Sequence, residues 1–138
     1  MKLHVIGYKG VVGGVTYELF HRLGYEVSGS DKGEKVPDLC DIYFVCVPED
    51  SVPQVVSGLL PYSGKGKSDF LIVVRSSVPP TTCKGLSGGN QHICHNPEFL
   101  REATAVQDAF SPSRVVIGQC CERHGRLLED LYRPLCVP

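Results

Sequence analysis

The chain has 138 residues, with 14 Lys and Arg against 15 Asp and Glu and a formal net charge of −1. A chain of this length is expected to form a single domain with one ordinary core. Its near-neutral balance points to no nucleic-acid or anionic-membrane partner, and no apolar run approaches the roughly 18 residues a membrane helix needs. The start, MKLHVIGYKG, reads as a strand rather than a signal peptide.

Short β-branched runs alternate with amphipathic or turn-rich stretches, which predicts an α/β domain with a mostly parallel sheet. Lys2 to Ile6 is the first expected strand. Val11 to Leu23 is the first helix, because Val12, Val15, Leu19, Phe20 and Leu23 recur at helical spacing. Gly24 then suits a helix stop. Glu26 to Ser30 is the second strand. Asp41 to Val47 is a nearly unbroken apolar run ending at Pro48, as in a strand buried on both faces. Val52 to Leu60 reads as a helix capped by Asp50 or Ser51. Gly64 to Ser68 is a loop and Phe70 to Val74 another buried strand. His92 to His95 and Arg114 to Ile117 are shorter strands, and Glu122 to Tyr132 is a closing helix with Leu127, Leu128 and Leu131 inward.

Asp31 to Cys40 is too short to hold a helix, a strand and two turns, since a crossover with its helix already takes about a dozen residues. The expected fold is therefore a Rossmann-like, doubly wound sheet of about six strands in the order 2-1-3-4-5-6, with one usual outer strand and helix deleted.

The seven cysteines are odd in number and contain no Cys-x-x-Cys pair. They form neither a disulfide framework nor a zinc pattern, and they point to a reducing, cytoplasmic compartment. Cys46 and Cys94 lie inside β-like runs and are expected to be small buried hydrophobes. His92 and His95 fall on opposite faces of a strand, so no metal site is expected from their spacing.

Five segments carry candidate chemistry. Gly7, Gly10 and Gly13 follow a predicted strand and open a predicted helix, the context in which a glycine turn binds a dinucleotide pyrophosphate. The spacing is Gly-x-x-Gly-x-x-Gly, one residue longer in the turn than the common form. Asp31 ends the second strand, where a carboxylate accepts ribose hydroxyls and repels a 2′-phosphate, favouring NAD over NADP. Val47 and Pro48 end the third strand. Arg75-Ser76-Ser77-Val78-Pro79 ends the fourth, with hydroxyls that suit either a site or a helix cap. Asn96-Pro97-Glu98-Phe99-Leu100-Arg101-Glu102 places two carboxylates four apart, on one side if the segment is helical.

That last segment, with PSRVVIG from Pro112 to Gly118, resembles the UDP-glucose/GDP-mannose 6-dehydrogenase family, and the resemblance extends from Lys2 to about Leu135. It implies that residues 1–138 form a single NAD-binding Rossmann-like domain. It implies a cofactor site of Gly7, Gly10, Gly13, Asp31, Val47, Pro48, Ser76, Ser77 and Glu102. By the same resemblance Glu98 orients or deprotonates water, Ser77 helps hold that water, and Glu102 contacts cofactor or substrate.

The family's Gly-Gly-x-Cys nucleophile does not occur in this sequence; Gly88-Gly89-Asn90 is not that motif. Three readings stay open. The chain is an oxidoreductase component acting on a nucleotide sugar, either half of a split enzyme completed by a separate C-terminal-domain protein or a minimal alcohol dehydrogenase. Alternatively, it is a non-catalytic NAD-binding module. In the third reading it is an interaction domain that has lost its nucleotide.

Overall fold

The structure, a computed structural model, describes residues 1–64, 70–87, 92–135 and 137. The expected loop from Gly64 to Ser68 lies mostly outside these residues, and Gly88-Gly89-Asn90 entirely so. The chain forms β1 (Lys2–Ile6), α1 (Val11–Arg22), β2 (Glu26–Ser30), β3 (Ile42–Val45), α2 (Val52–Leu59), β4 (Leu71–Val74), α3 (Pro80–Ser87), β5 (Ile93–His95), α4 (Ala105–Phe110) and α5 (Glu122–Tyr132). Five parallel strands make one sheet in the order β2-β1-β3-β4-β5.

Strand alternation sorts the apolar side chains into two layers. Leu3, Val5, Ile42, Phe44, Leu71, Val73 and Cys94 pack with Leu19 and Phe20 of α1 and with Leu128, Leu131 and Tyr132 of α5. Ile6, Tyr43, Val45, Ile72, Val74 and Ile93 pack on the other face with Val52, Val56 and Leu59 of α2 and Cys83 of α3. The three middle strands are apolar at nearly every position because both of their faces are covered.

The outer strand and helix are absent from the β2-to-β3 connection, as the short linker predicts. Residues 31–41 return across the second face instead, with Val36 and Cys40 packed into its core. The Tyr43 hydroxyl donates to Pro37 O (2.5 Å) and accepts Cys40 N–H (3.2 Å), and Asp41 Oδ2 accepts Lys2 N–H at 2.7 Å. Buried His4 spans β1 and β2, with Nδ1 2.7 Å from Ser28 Oγ and Nε2 2.8 Å from Ser30 Oγ.

The expected sixth strand does not form. Arg114 to Ile117 is irregular, and only one antiparallel bridge, His95 to Gly118, joins this segment to β5. The Asn96 side chain donates Nδ2–H to Val116 O at 2.8 Å, taking a carbonyl that a ladder would use. Pro97 then ends the extended run on the β5 side, because proline offers no N–H to pair. Ser51 occupies the N-cap position of α2 but makes no side-chain capping bond; a 3-10 turn, Glu49–Ser51, leads in instead.

Candidate functional site

The C-terminal ends of β1, β2, β3 and β4 come together around the glycine turn. Gly7 has φ +89°, and a Cβ there would lie 2.2 Å from Cys46 O. A Cβ on Gly13 would lie 2.0 Å from Gly7 O. Both positions therefore exclude side chains: the turn is pressed against the end of β3 on one side and against α1 on the other. Gly10 is different, since a Cβ there would make an ordinary 3.5 Å contact. No side chain caps α1 and its first turn holds no acidic residue. Its N–H groups thus present positive dipole at the turn, as an anion site requires.

The added turn residue is absorbed locally. Tyr8 lays its ring against Gly29 of β2, where a Cβ would lie 2.5 Å from the ring. Lys9 donates its backbone N–H to Asp31 Oδ2 at 3.2 Å, and Lys32 N–H reaches Asp31 Oδ1 at 2.7 Å. Each Asp31 oxygen keeps a further lone-pair direction for a ligand hydroxyl. Lys9 Nζ pairs with Glu34 Oε1 at 2.9 Å on the surface beside it.

Ser76 ties β4 to β3. Its hydroxyl donates to Val47 O at 2.5 Å and accepts Val47 N–H at 3.1 Å, so it sets the path of the Val47-Pro48 turn. Ser77, the next residue, is exposed at the same edge. Cys46 is half-buried; burial pushes its thiol up to about 11, the nearby Arg75 charge and the Thr16 hydroxyl oppose this, and the Glu98 charge adds to it.

Glu98 and Glu102 are not brought onto one helical face. Residues 96–101 are irregular, Arg101 is extended, and Glu102 begins a separate 3-10 turn, Glu102–Thr104. Three local bonds hold this conformation. Glu98 Oε2 accepts Leu100 N–H at 2.7 Å, and Asp108 of α4 accepts Arg101 N–H at 2.9 Å and the Arg101 guanidinium at 2.9 Å. The Arg101 hydrogen bonds hold the Asp108 carboxyl well below the usual range. Glu98 lines a cleft of about 340 Å³ with Arg75, Asn96, Arg101, Arg114 and Tyr132, whereas Glu102 is exposed outside that lining.

The floor of this cleft joins three segments distant in sequence. Buried Arg75 donates Nη1–H to Tyr132 Oη and, at 3.3 Å, to Asn96 Oδ1, and Tyr132 Oη also donates to Asn96 Oδ1. Arg75 Nε is buried without a partner among the described residues. The sequence signal was an arginine directly after an apolar strand, a position that faces the sheet's C-terminal edge.

A model of the UDP-glucose/GDP-mannose dehydrogenase family's NAD binding domain matches residues 30–136. The chain belongs to this dehydrogenase family. The UDP-glucose 6-dehydrogenase of Bacillus subtilis is 32% identical over 133 residues, which cover 85% of this chain and 29% of that protein. A UDP-glucose dehydrogenase structure from Pyrobaculum islandicum aligns at a TM-score of 0.85 and 26% identity, over 99% of this chain and 45% of that one. A ternary complex of GDP-mannose dehydrogenase from Pseudomonas aeruginosa aligns at 0.83 and 26%, over 100% and 45%. The chain thus spans less than a third of the length of the curated relatives it matches. The dehydrogenase family's NAD-binding fold is present as a five-stranded sheet, and the family model begins only at Ser30, past the lengthened glycine turn.

Proposed function

We propose that this chain binds NAD at the C-terminal edge of its sheet and supplies the cofactor half of a nucleotide-sugar 6-dehydrogenase reaction. One observation carries the reading: the Gly7–Gly13 turn, the uncapped start of α1, Asp31 and the Val47-Ser76 junction meet at a single edge. The residues fit the cofactor. The α1 N–H groups would take the pyrophosphate and Asp31 the adenosine ribose hydroxyls. Val47, Pro48, Ser76 and Ser77 would border the far end of the same groove. Bound NAD⁺ would accept hydride from a sugar alcohol. Glu98 would orient water beside it, and Arg75 would set a buried positive charge under the cleft, suited to an anionic substrate. Glu102 would serve only after the 102–104 turn moved.

The second reading, a module that holds NAD without chemistry, draws on Glu98 being engaged by Leu100 N–H and on the exposure of Glu102. Calorimetric titration with NAD⁺ tests the shared premise: no heat at millimolar cofactor sinks both readings and leaves an interaction domain. NADH formation from UDP-glucose, measured with and without a protein carrying the Gly-Gly-x-Cys domain, separates the two. Turnover only with that partner supports the split enzyme, and cofactor binding without turnover in either case supports the module.

A further inference from the structure

The β5 edge of the sheet gathers a second set of reactive side chains that the dehydrogenase reading does not use. Cys120, Cys121 and His124 each present one ligand atom, and these atoms all lie within 4.8 Å of one another. Cys120 Sγ is 3.1 Å from His124 Nδ1 and 3.5 Å from Cys94 Sγ. The Cys120 N–H also points at Cys94 Sγ, at 3.4 Å. Cys94 and His124 are fully buried, while Cys120 and Cys121 are half-buried, so an ion could enter from their side.

The spacing suits a metal. Tetrahedral coordination with bonds of about 2.3 Å to sulfur and 2.0–2.1 Å to nitrogen separates neighbouring ligand atoms by roughly 3.5–3.8 Å. The Cys120 contacts, 3.1 Å to His124 Nδ1 and 3.5 Å to Cys94 Sγ, reach this range with shifts of a few tenths of an ångström, and Cys121 reaches it by a turn of its half-buried side chain. Cys94 touches the group through Cys120, so taking the fourth position also needs Cys121 and His124 to draw in towards it. Three further features agree. The donors are soft sulfur and imidazole nitrogen, the set zinc favours. Cys121 is the N-cap of α5, where the helix dipole stabilises thiolate. His92 Nδ1 is buried without a partner among the described residues, and its ring centroid is 6.0 Å from that of His124.

The placement also makes structural sense. β5 has three residues, and one bridge joins it to the segment where a sixth strand was expected. An ion held by Cys94 on β5 and by the start of α5 would fasten the sheet edge where a ladder is missing.

We propose that Cys120, Cys121 and His124, with Cys94 as the fourth ligand, form a closed structural site for a tetrahedral soft divalent cation of the zinc type. Each coordinating thiol releases its proton to solvent and nothing is oxidised. Coordination through His124 Nδ1 places the ring proton on Nε2, where Arg123 Nη2 stands 3.3 Å away; exposed Arg123 then turns aside.

Titration of Co²⁺ into the reduced, chelator-stripped chain tests this. One equivalent should produce thiolate-to-cobalt charge-transfer absorption and tetrahedral ligand-field bands, and Zn²⁺ should displace them. Cys121→Ser and His124→Gln should weaken Zn²⁺ binding by more than the roughly 10–100-fold that loss of an outer-shell partner costs. Cys40→Ser and Cys83→Ser, on the opposite face of the sheet, should leave it unchanged. Absence of tetrahedral bands in the unaltered chain overturns the proposal, whatever the variants do. So does equal binding in Cys121→Ser and His124→Gln, or a Cys94–Cys120 disulfide whose reduction brings no metal uptake.

Discussion

The glycine turn and the Asn96–Gly118 segment are built in opposite ways. The turn's shape is set by backbone contacts: Gly7 against Cys46 and Gly13 against Gly7 leave no room for a single added carbon. The Asn96–Gly118 segment is held by side chains, with Asn96 on Val116 O, Glu98 on Leu100 N–H and Asp108 on Arg101. Backbone contact gives a rigid cradle whose residues are nearly irreplaceable. Side-chain bonds give a loop whose form depends on a few polar groups and can change when they do. The more family-like wording belongs to the loop, but the more tightly determined geometry belongs to the turn.

The largest effect that sharpens this contrast is at Gly13. Gly13→Ala should cost about 3 kcal/mol or more through overpacking of the turn, whereas Gly10→Ala should fold nearly unperturbed. Thermal unfolding of the pair checks it, and equal losses would break the contrast.

On the same side of the molecule, burial lowers the His4 pKa to about 4 from 6.5. The unfolded chain therefore takes up the proton at a higher pH than the folded chain. Stability should be complete above pH 6.5 and fall as pH drops towards 4, by about 3 kcal/mol in all. Urea denaturation of the native chain and of His4→Gln across that range should show the slope in the first only.

In the second region, Tyr132→Phe removes the hydroxyl between Arg75 and Asn96. It should cost about 1–3 kcal/mol because buried polar groups lose a partner, and it should loosen the Asn96 loop rather than the turn. Faster amide exchange confined to residues 96–118 would support this, and faster exchange around residues 7–13 would contradict it.

Two smaller effects concern ligand binding. Asp31→Asn should weaken NAD⁺ about 10- to 100-fold by removing a charge-assisted contact. Glu102→Gln should change NAD⁺ affinity less than twofold, since Glu102 is exposed and apart from the cleft. Calorimetry on both variants measures the difference, and the reverse order would mean that the 102–104 turn closes over the cofactor.

Much of the fold was legible because its signals are local. Ile42–Val45 and Leu71–Val74 are apolar at successive positions, as strands covered on both faces must be. Helix α5, Glu122–Tyr132, is legible because Leu127, Leu128 and Leu131 recur at helical spacing. Arg114 to Ile117 misled because β-branched residues favour extended backbone whether or not a partner strand is available. Glu98 and Glu102 misled in the same way: a four-residue spacing places two groups together only if the backbone is helical, and here two carboxylates had bonded backbone N–H groups instead.

The amino-acid order by itself determined the alternation of strands and helices, the shortened β2-to-β3 connection and the site of the glycine turn. Each follows from periodicity, chain length or the room a residue needs. Only the tertiary structure decided that the sheet stops at five strands, that Arg75 floors the second cleft, and that Cys94 meets Cys120 from 26 residues away. Those outcomes depend on which donors find which acceptors once the chain is compact, a competition that no spacing along the chain records.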